Sequence, residues 1–124
     1  MKAIIALPCC ALLAGCAIGP AHPLPDNAPA ALGETVQVGS LLARPVSVVE
    51  DSRCAYNVQC VWAGRVVVST RIDGQGWSET VPLTLGEPYT VQGTTITVTQ
   101  VLPDKIAERT PPRHEYRFIY DGGH

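Results

Sequence analysis

Val61-Trp62-Ala63-Gly64-Arg65-Val66-Val67-Val68-Ser69-Thr70-Arg71-Ile72-Asp73-Gly74-Gln75-Gly76-Trp77-Ser78-Glu79-Thr80-Val81-Pro82-Leu83-Thr84-Leu85 is the stretch that decides the fold. Its residues alternate with period two, as side chains do on a pleated strand with one buried face. Val66, Val68, Thr70 and Ile72 fall on one face, and Arg65, Val67, Ser69 and Arg71 on the other. The spacing predicts a strand over 61–73, the longest in the chain. Asp73-Gly74-Gln75-Gly76 is a turn signal, because glycine adopts positive φ at little cost. The chain then returns through Trp77, Glu79, Val81, Leu83 and Leu85, with Ser78, Thr80 and Thr84 opposite. Pro82 has no N–H for a ladder, so this strand is expected at a sheet edge or with a bulge.

The same period extends in both directions. Residues 35–39 alternate, with Val36 and Val38 on one side, and 44–49 form a second strand with Val46 and Val48 facing one way. Beyond Gly86, residues 89–92 and 94–101 flank Gly93 as a second hairpin. Ile96, Val98 and Leu102 share one of its faces and Thr95, Thr97 and Thr99 the other. Residues 103–112 read as a polar loop, with Ile106 tucked back. Over 113–120, His114, Tyr116, Phe118 and Tyr120 alternate with Arg113, Glu115 and Arg117, which predicts an inward aromatic face; 121–124 read as a frayed tail. No helical stripe interrupts the pattern. About seven short antiparallel strands predict an all-β fold, a small single-domain β-sandwich or barrel over 34–121. Roughly 90 folded residues bury only a thin core, so modest stability is expected.

The first residues follow a different logic. Met1-Lys2 precedes an apolar run over 3–13, then Ala14-Gly15-Cys16. A positive charge before a short hydrophobic run is a secretory signal, assigned to 1–15, and the run is shorter than the roughly 20 residues that cross a bilayer. Leu13-Ala14-Gly15-Cys16 resembles the lipobox of bacterial lipoproteins; the plainer alternative is an ordinary cleaved signal with a stray cysteine. The resemblance implies a thioether-linked diacylglycerol on Cys16 and an acylated amine (palmitate among the chains), an anchor that several acyl chains make stable. Ala17 rather than Asp follows Cys16, so in a host with two membranes the outer one is expected, with the domain in the periplasm. Residues 16–33 carry Pro20, Pro23, Pro25 and Pro29 and read as a lipidated tether, able to hold a domain up to roughly 50 Å off the membrane. His22 is expected as a solvated linker residue.

The five cysteines then resolve. Cys9 and Cys10 leave with the signal and Cys16 carries lipid, which leaves Cys54 and Cys60 in an oxidising compartment. A disulfide between them is expected. A metal site is the weaker reading, since His22, His114 and His124 lack ligand spacing to the pair. Closing a loop of about seven residues contributes about 2.4 kcal/mol by chain entropy.

The bridge lies within Glu50-Asp51-Ser52-Arg53-Cys54-Ala55-Tyr56-Asn57-Val58-Gln59-Cys60-Val61-Trp62-Ala63-Gly64. This stretch resembles a motif of small exported bacterial proteins of unknown function: Asp-Ser-Arg-Cys-Pro, a few residues, Cys, then Trp-x-Gly, with Ala55 here at the proline position. The resemblance spans about fourteen residues and implies no activity. Read residue by residue, Asp51 and Ser52 can bond backbone N–H groups and start a turn. Arg53 can pair with Asp51 or Glu50 or lie over Trp62. Gly64 is expected to supply a bulge. Asp51, Arg53 and Trp62 form the candidate recognition surface, on a loop held by a rigid scaffold.

Other chemistries find little support. Net charge is -2 and no basic stripe occurs, which argues against nucleic acid. No phosphate-binding glycine loop or zinc motif appears, and no cofactor is expected. Ser52 lacks a nucleophile elbow. Glu50 and Asp51 are adjacent and point to opposite faces of a strand, a poor geometry for paired acid–base work. The expected function is therefore a lipid-anchored, non-enzymatic binding or structural accessory protein of the cell envelope. Its expected partners are the membrane, through Cys16, and an envelope protein. The competing expectations are a small envelope hydrolase or metal-dependent enzyme using Asp51, Ser52 and His114, and a purely structural lipoprotein.

Overall fold

The computed structural model describes residues 22–55, 57–61, 64–106 and 109–124. The expected signal, Cys16 and Trp62 lie outside them. Four strands form one antiparallel sheet in chain order: β1 (Val36–Val38), β2 (Leu41–Asp51), β3 (Val66–Gly74) and β4 (Trp77–Thr84). Three form the other, also in order: β5 (Tyr89–Val91), β6 (Thr94–Leu102) and β7 (Arg117–Gly122). The expected all-β class holds, as two sheets packed over one core.

β3 begins at Val66 rather than Val61, and its inward face is the expected one, although Val67 on the opposite face is buried too. Val66, Val68, Thr70 and Ile72 are fully buried. Ile96 and Val98 of β6 and Phe118 and Tyr120 of β7 join them in one cluster. β4 is the edge strand of its sheet, and Pro82 faces solvent there, opposite Ser69. One polar bond crosses the core from sheet to sheet, between Thr70 Oγ1 and the Tyr120 hydroxyl at 2.9 Å. Burial pushes the Tyr120 phenol well above its ordinary range, so it stays neutral and available for that bond.

Where strict alternation fails, a bulge intervenes. β2, not β3, is the longest strand at 11 residues. Register shifts lie between Pro45 and Ser47 and between Val48 and Glu50. Before the first shift Pro45 is buried in phase with Leu41 and Ala43 and Val46 is 41% exposed; the shift then brings Val48 opposite buried Val68, so Val46 and Val48, expected to face one way, do not. A third shift, between Val98 and Gln100, turns Val101 into the core at the place expected for Leu102. His114 is also placed differently. Arg113–Glu115 is a 3₁₀ turn, so the inward aromatic face begins at Tyr116 and His114 is exposed.

Both ends of the described chain are sewn in. Residues 24–33 do not stand off as a tether. Leu24 pairs with β1, its N–H bonding the Thr35 carbonyl (2.8 Å) and its carbonyl accepting from Gln37 N–H (2.8 Å). Ala30 is fully buried and exchanges two 2.9 Å bonds with Phe118. The segment thus covers the free edges of β1 and β7, which would otherwise present unpaired N–H and C=O groups. The packed domain begins at Leu24 rather than Glu34. At the other end, Gly123 is no frayed tail. Its N–H bonds Thr95 and its carbonyl accepts from Ser40 N–H and Oγ. A Cβ at Gly123 would lie 1.8 Å from the Val38 carbonyl, and φ is +79°, so only glycine fits.

Candidate functional site

The corner between β2 and β3 is built from Asp51 outward. Asp51 pairs with Val66, which faces the core, while Glu50 pairs with the opposite-facing Val67. Directly opposed residues share a face, so the register after the second bulge turns Asp51 inward and Glu50 outward.

Arg53 folds back onto Asp51 as a two-pronged clamp, with Nε to Oδ1 and Nη2 to Oδ2 both at 2.9 Å. Its third nitrogen, Nη1, donates to the Val101 carbonyl of β6 at 3.1 Å. The hydroxyl of Tyr116, just before β7, donates to Asp51 Oδ2 at 2.8 Å, and Lys105 Nζ donates to the Asp51 carbonyl at 2.9 Å. Four side chains therefore tie the end of β2 to the second sheet and its connecting loop. The Asp51 and Arg53 side chains are only 6% and 15% exposed. Burial alone would raise the Asp51 pKa; the hydrogen bonds from Arg53 and Tyr116 and the guanidinium charge outweigh it and hold it below its ordinary value. Burial, with the bond to Asp51, pushes Tyr116 up to about 12.

A second set of bonds lies outside the first. Arg65 Nε and Nη2 donate to Glu50 at 3.0 and 3.3 Å, and Ser52 Oγ donates to Glu50 Oε2 at 2.8 Å. The hydrogen bonds from Arg65 and Ser52 lower the Glu50 pKa. Ser52 N–H donates to the Arg65 carbonyl at 2.8 Å, and Arg65 N–H donates back to Ser52 Oγ at 3.1 Å. Gly64 is explained here. A Cβ on it would sit 1.7 Å from the Ser52 carbonyl, so it permits a close backbone crossing rather than a bulge.

Between these arms the Cys54–Cys60 disulfide closes the loop, with Cα atoms 5.9 Å apart. Ala55 is buried, and its carbonyl accepts from Val58 N–H at 3.2 Å. The loop turns outward both polar Asn57 and Gln59 and two valines. Val58 is 46% exposed and Val61 98%, and Val49 on the neighbouring outer surface of β2 is 63% exposed.

The expected recognition surface is thereby changed. Asp51 and Arg53 face inward and spend their donors and acceptors on one another and on the second sheet. Trp62 lies outside the described residues. Alternation alone does not point to Tyr116, Lys105 or the Val101 carbonyl as partners; the one available signal is a tyrosine on an inward face, whose hydroxyl needs a partner. His114 is not brought into the clamp. It lines a shallow hollow of about 300 Å³ with Ala31, Leu32 and Arg113. Among the described residues, no group of three or more His, Cys, Asp or Glu side chains is placed to hold a metal. No protein-family model, curated protein or solved structure matches the chain.

Proposed function

We propose that this chain is a bacterial lipoprotein, anchored in the cell envelope through Cys16, whose stapled corner is a binding surface for an envelope protein rather than a catalytic centre. In a host with two membranes it would sit on the outer one, facing the periplasm. The observation that carries this reading lies at the corner: Asp51 and Arg53 turn inward to brace the loop, while Val58 and Val61 are exposed on it. Exposed apolar side chains on a braced loop are a usual form of protein contact, since little conformational entropy is lost when they are covered. The hydrolase reading is less favoured. Both Asp51 carboxylate oxygens accept hydrogen bonds, and Ser52 Oγ donates to a Glu50 carboxylate whose pairing with Arg65 lowers its pKa and weakens it as a base.

A photo-crosslinking residue in place of Val61 tests the proposal in intact envelopes. A discrete adduct is expected there and not from the same residue at Thr90, and it should disappear in the Cys54→Ser/Cys60→Ser variant. Equal labelling at both positions, or an adduct indifferent to loss of the bridge, would contradict the proposal.

A further inference from the structure

Resting on lipid attachment at Cys16, we infer that the domain is held edge-on against the bilayer, with the rim formed by His22, Leu24, Glu34 and Arg44 facing the phospholipid headgroups. Packing starts early in the chain. Leu24 is bonded to β1 on both sides, Asp26 Oδ1 accepts from Gly39 N–H at 2.7 Å, and Ala30 is locked to Phe118. Residues 24–33 therefore cannot serve as tether length. From Cys16 to Leu24 is eight residue steps, at most about 29 Å, and about 25 Å in an extended polyproline form. A domain of about 100 residues has a radius of gyration near 13 Å and a diameter of roughly 34 Å. The leash is shorter than the body it holds, so the attached rim stays near the membrane.

The rim has matching chemistry. His22, Glu34 and Arg44 line a hollow of about 380 Å³ beside Leu24. Arg44 offers a planar donor fork suited to lipid phosphates, and Glu34 is the single acid among the residues lining the hollow. The stapled corner lies elsewhere: β2 runs seven residues from Arg44 to Asp51, about 24 Å. A membrane-facing rim and a partner-facing corner are thus separated on one small domain.

The test uses the full-length, membrane-extracted protein in phosphatidylethanolamine/phosphatidylglycerol vesicles doped with a nitroxide-headgroup lipid. With Cys54 and Cys60 bridged and Cys16 acylated, an added cysteine is the single free thiol. Fluorophores at Glu34→Cys and, on β5 of the other sheet, Thr90→Cys are compared. Quenching several-fold stronger at 34 than at 90 is expected, and ten Gly/Ser residues inserted after Ala21 should bring the two together. Equal quenching in protein whose intact mass carries the lipid would overturn the inference alone. A mature mass without lipid would remove the anchor, and the inference with it.

Discussion

Asp51 holds both carboxylate oxygens and its carbonyl in bonds, and its partners Tyr116 and Lys105 both lie beyond β5. Its pH signature follows. The folded pKa lies below the unfolded value of about 3.9, so its stabilisation is complete above about pH 4 and is lost as pH falls through the folded value. Tyr116 has the opposite sign. Its folded pKa is raised to about 12, so its stabilisation is complete below about pH 10 and is lost between about 10 and 12. The urea midpoint should be flat between about pH 5 and 9 and fall at both ends. Asp51→Asn should lower the plateau and flatten the acid arm. Tyr116→Phe should flatten only part of the alkaline arm, because Tyr120 titrates upward as well. Glu50 and Arg65 make an exposed pair, and Glu50→Gln should leave the midpoint nearly unchanged. An acid arm that follows Glu50 rather than Asp51 would reverse this assignment.

At the scale of elements, the loop depends on two features. Gly64→Ala places a methyl against the Ser52 carbonyl and should destabilise by about 1–3 kcal/mol or more, read from urea unfolding. Replacing both Cys54 and Cys60 by serine should cost about 2.4 kcal/mol, and thiol alkylation of the wild type should require prior reduction. The segment 24–33 makes a third case. A chain beginning at Glu34 exposes the edges of β1 and β7 and leaves Phe118 without its partner Ala30, and it should self-associate in sedimentation measurements. A monomer as stable as the longer chain would contradict the packing of this segment. These elements also mark how far the sequence can be read. The Val66–Ile72 alternation and both hairpins are legible, because one buried face leaves a period of two. The inward turns of Val101 and Asp51 are not, since a bulge shifts the face of every residue after it and leaves no compositional trace. Ala30 and Gly123 are small residues held mainly through backbone bonds, so hydrophobic pattern passes over them.

At the scale of the whole molecule, the bonds that join the sheets include the Thr70–Tyr120 bond within the core, the sewn ends around Ala30 and Gly123, and the Asp51–Arg53–Tyr116 clamp. The fold class is legible in the amino-acid pattern because many short alternating segments leave few other architectures. The candidate site is legible only as a location. Asp51 and Arg53 are expected to face a partner and instead face the second sheet, because a carboxylate's partner 65 residues away leaves no local sign. The most direct test is a double-mutant cycle in urea on Asp51→Asn, Arg53→Met and both. A clamp predicts that each single change costs about 2–4 kcal/mol, with a coupling of at least about 1 kcal/mol between them. Single changes near the wild-type stability that simply add would mean that these charges do not join the sheets, and would contradict the account.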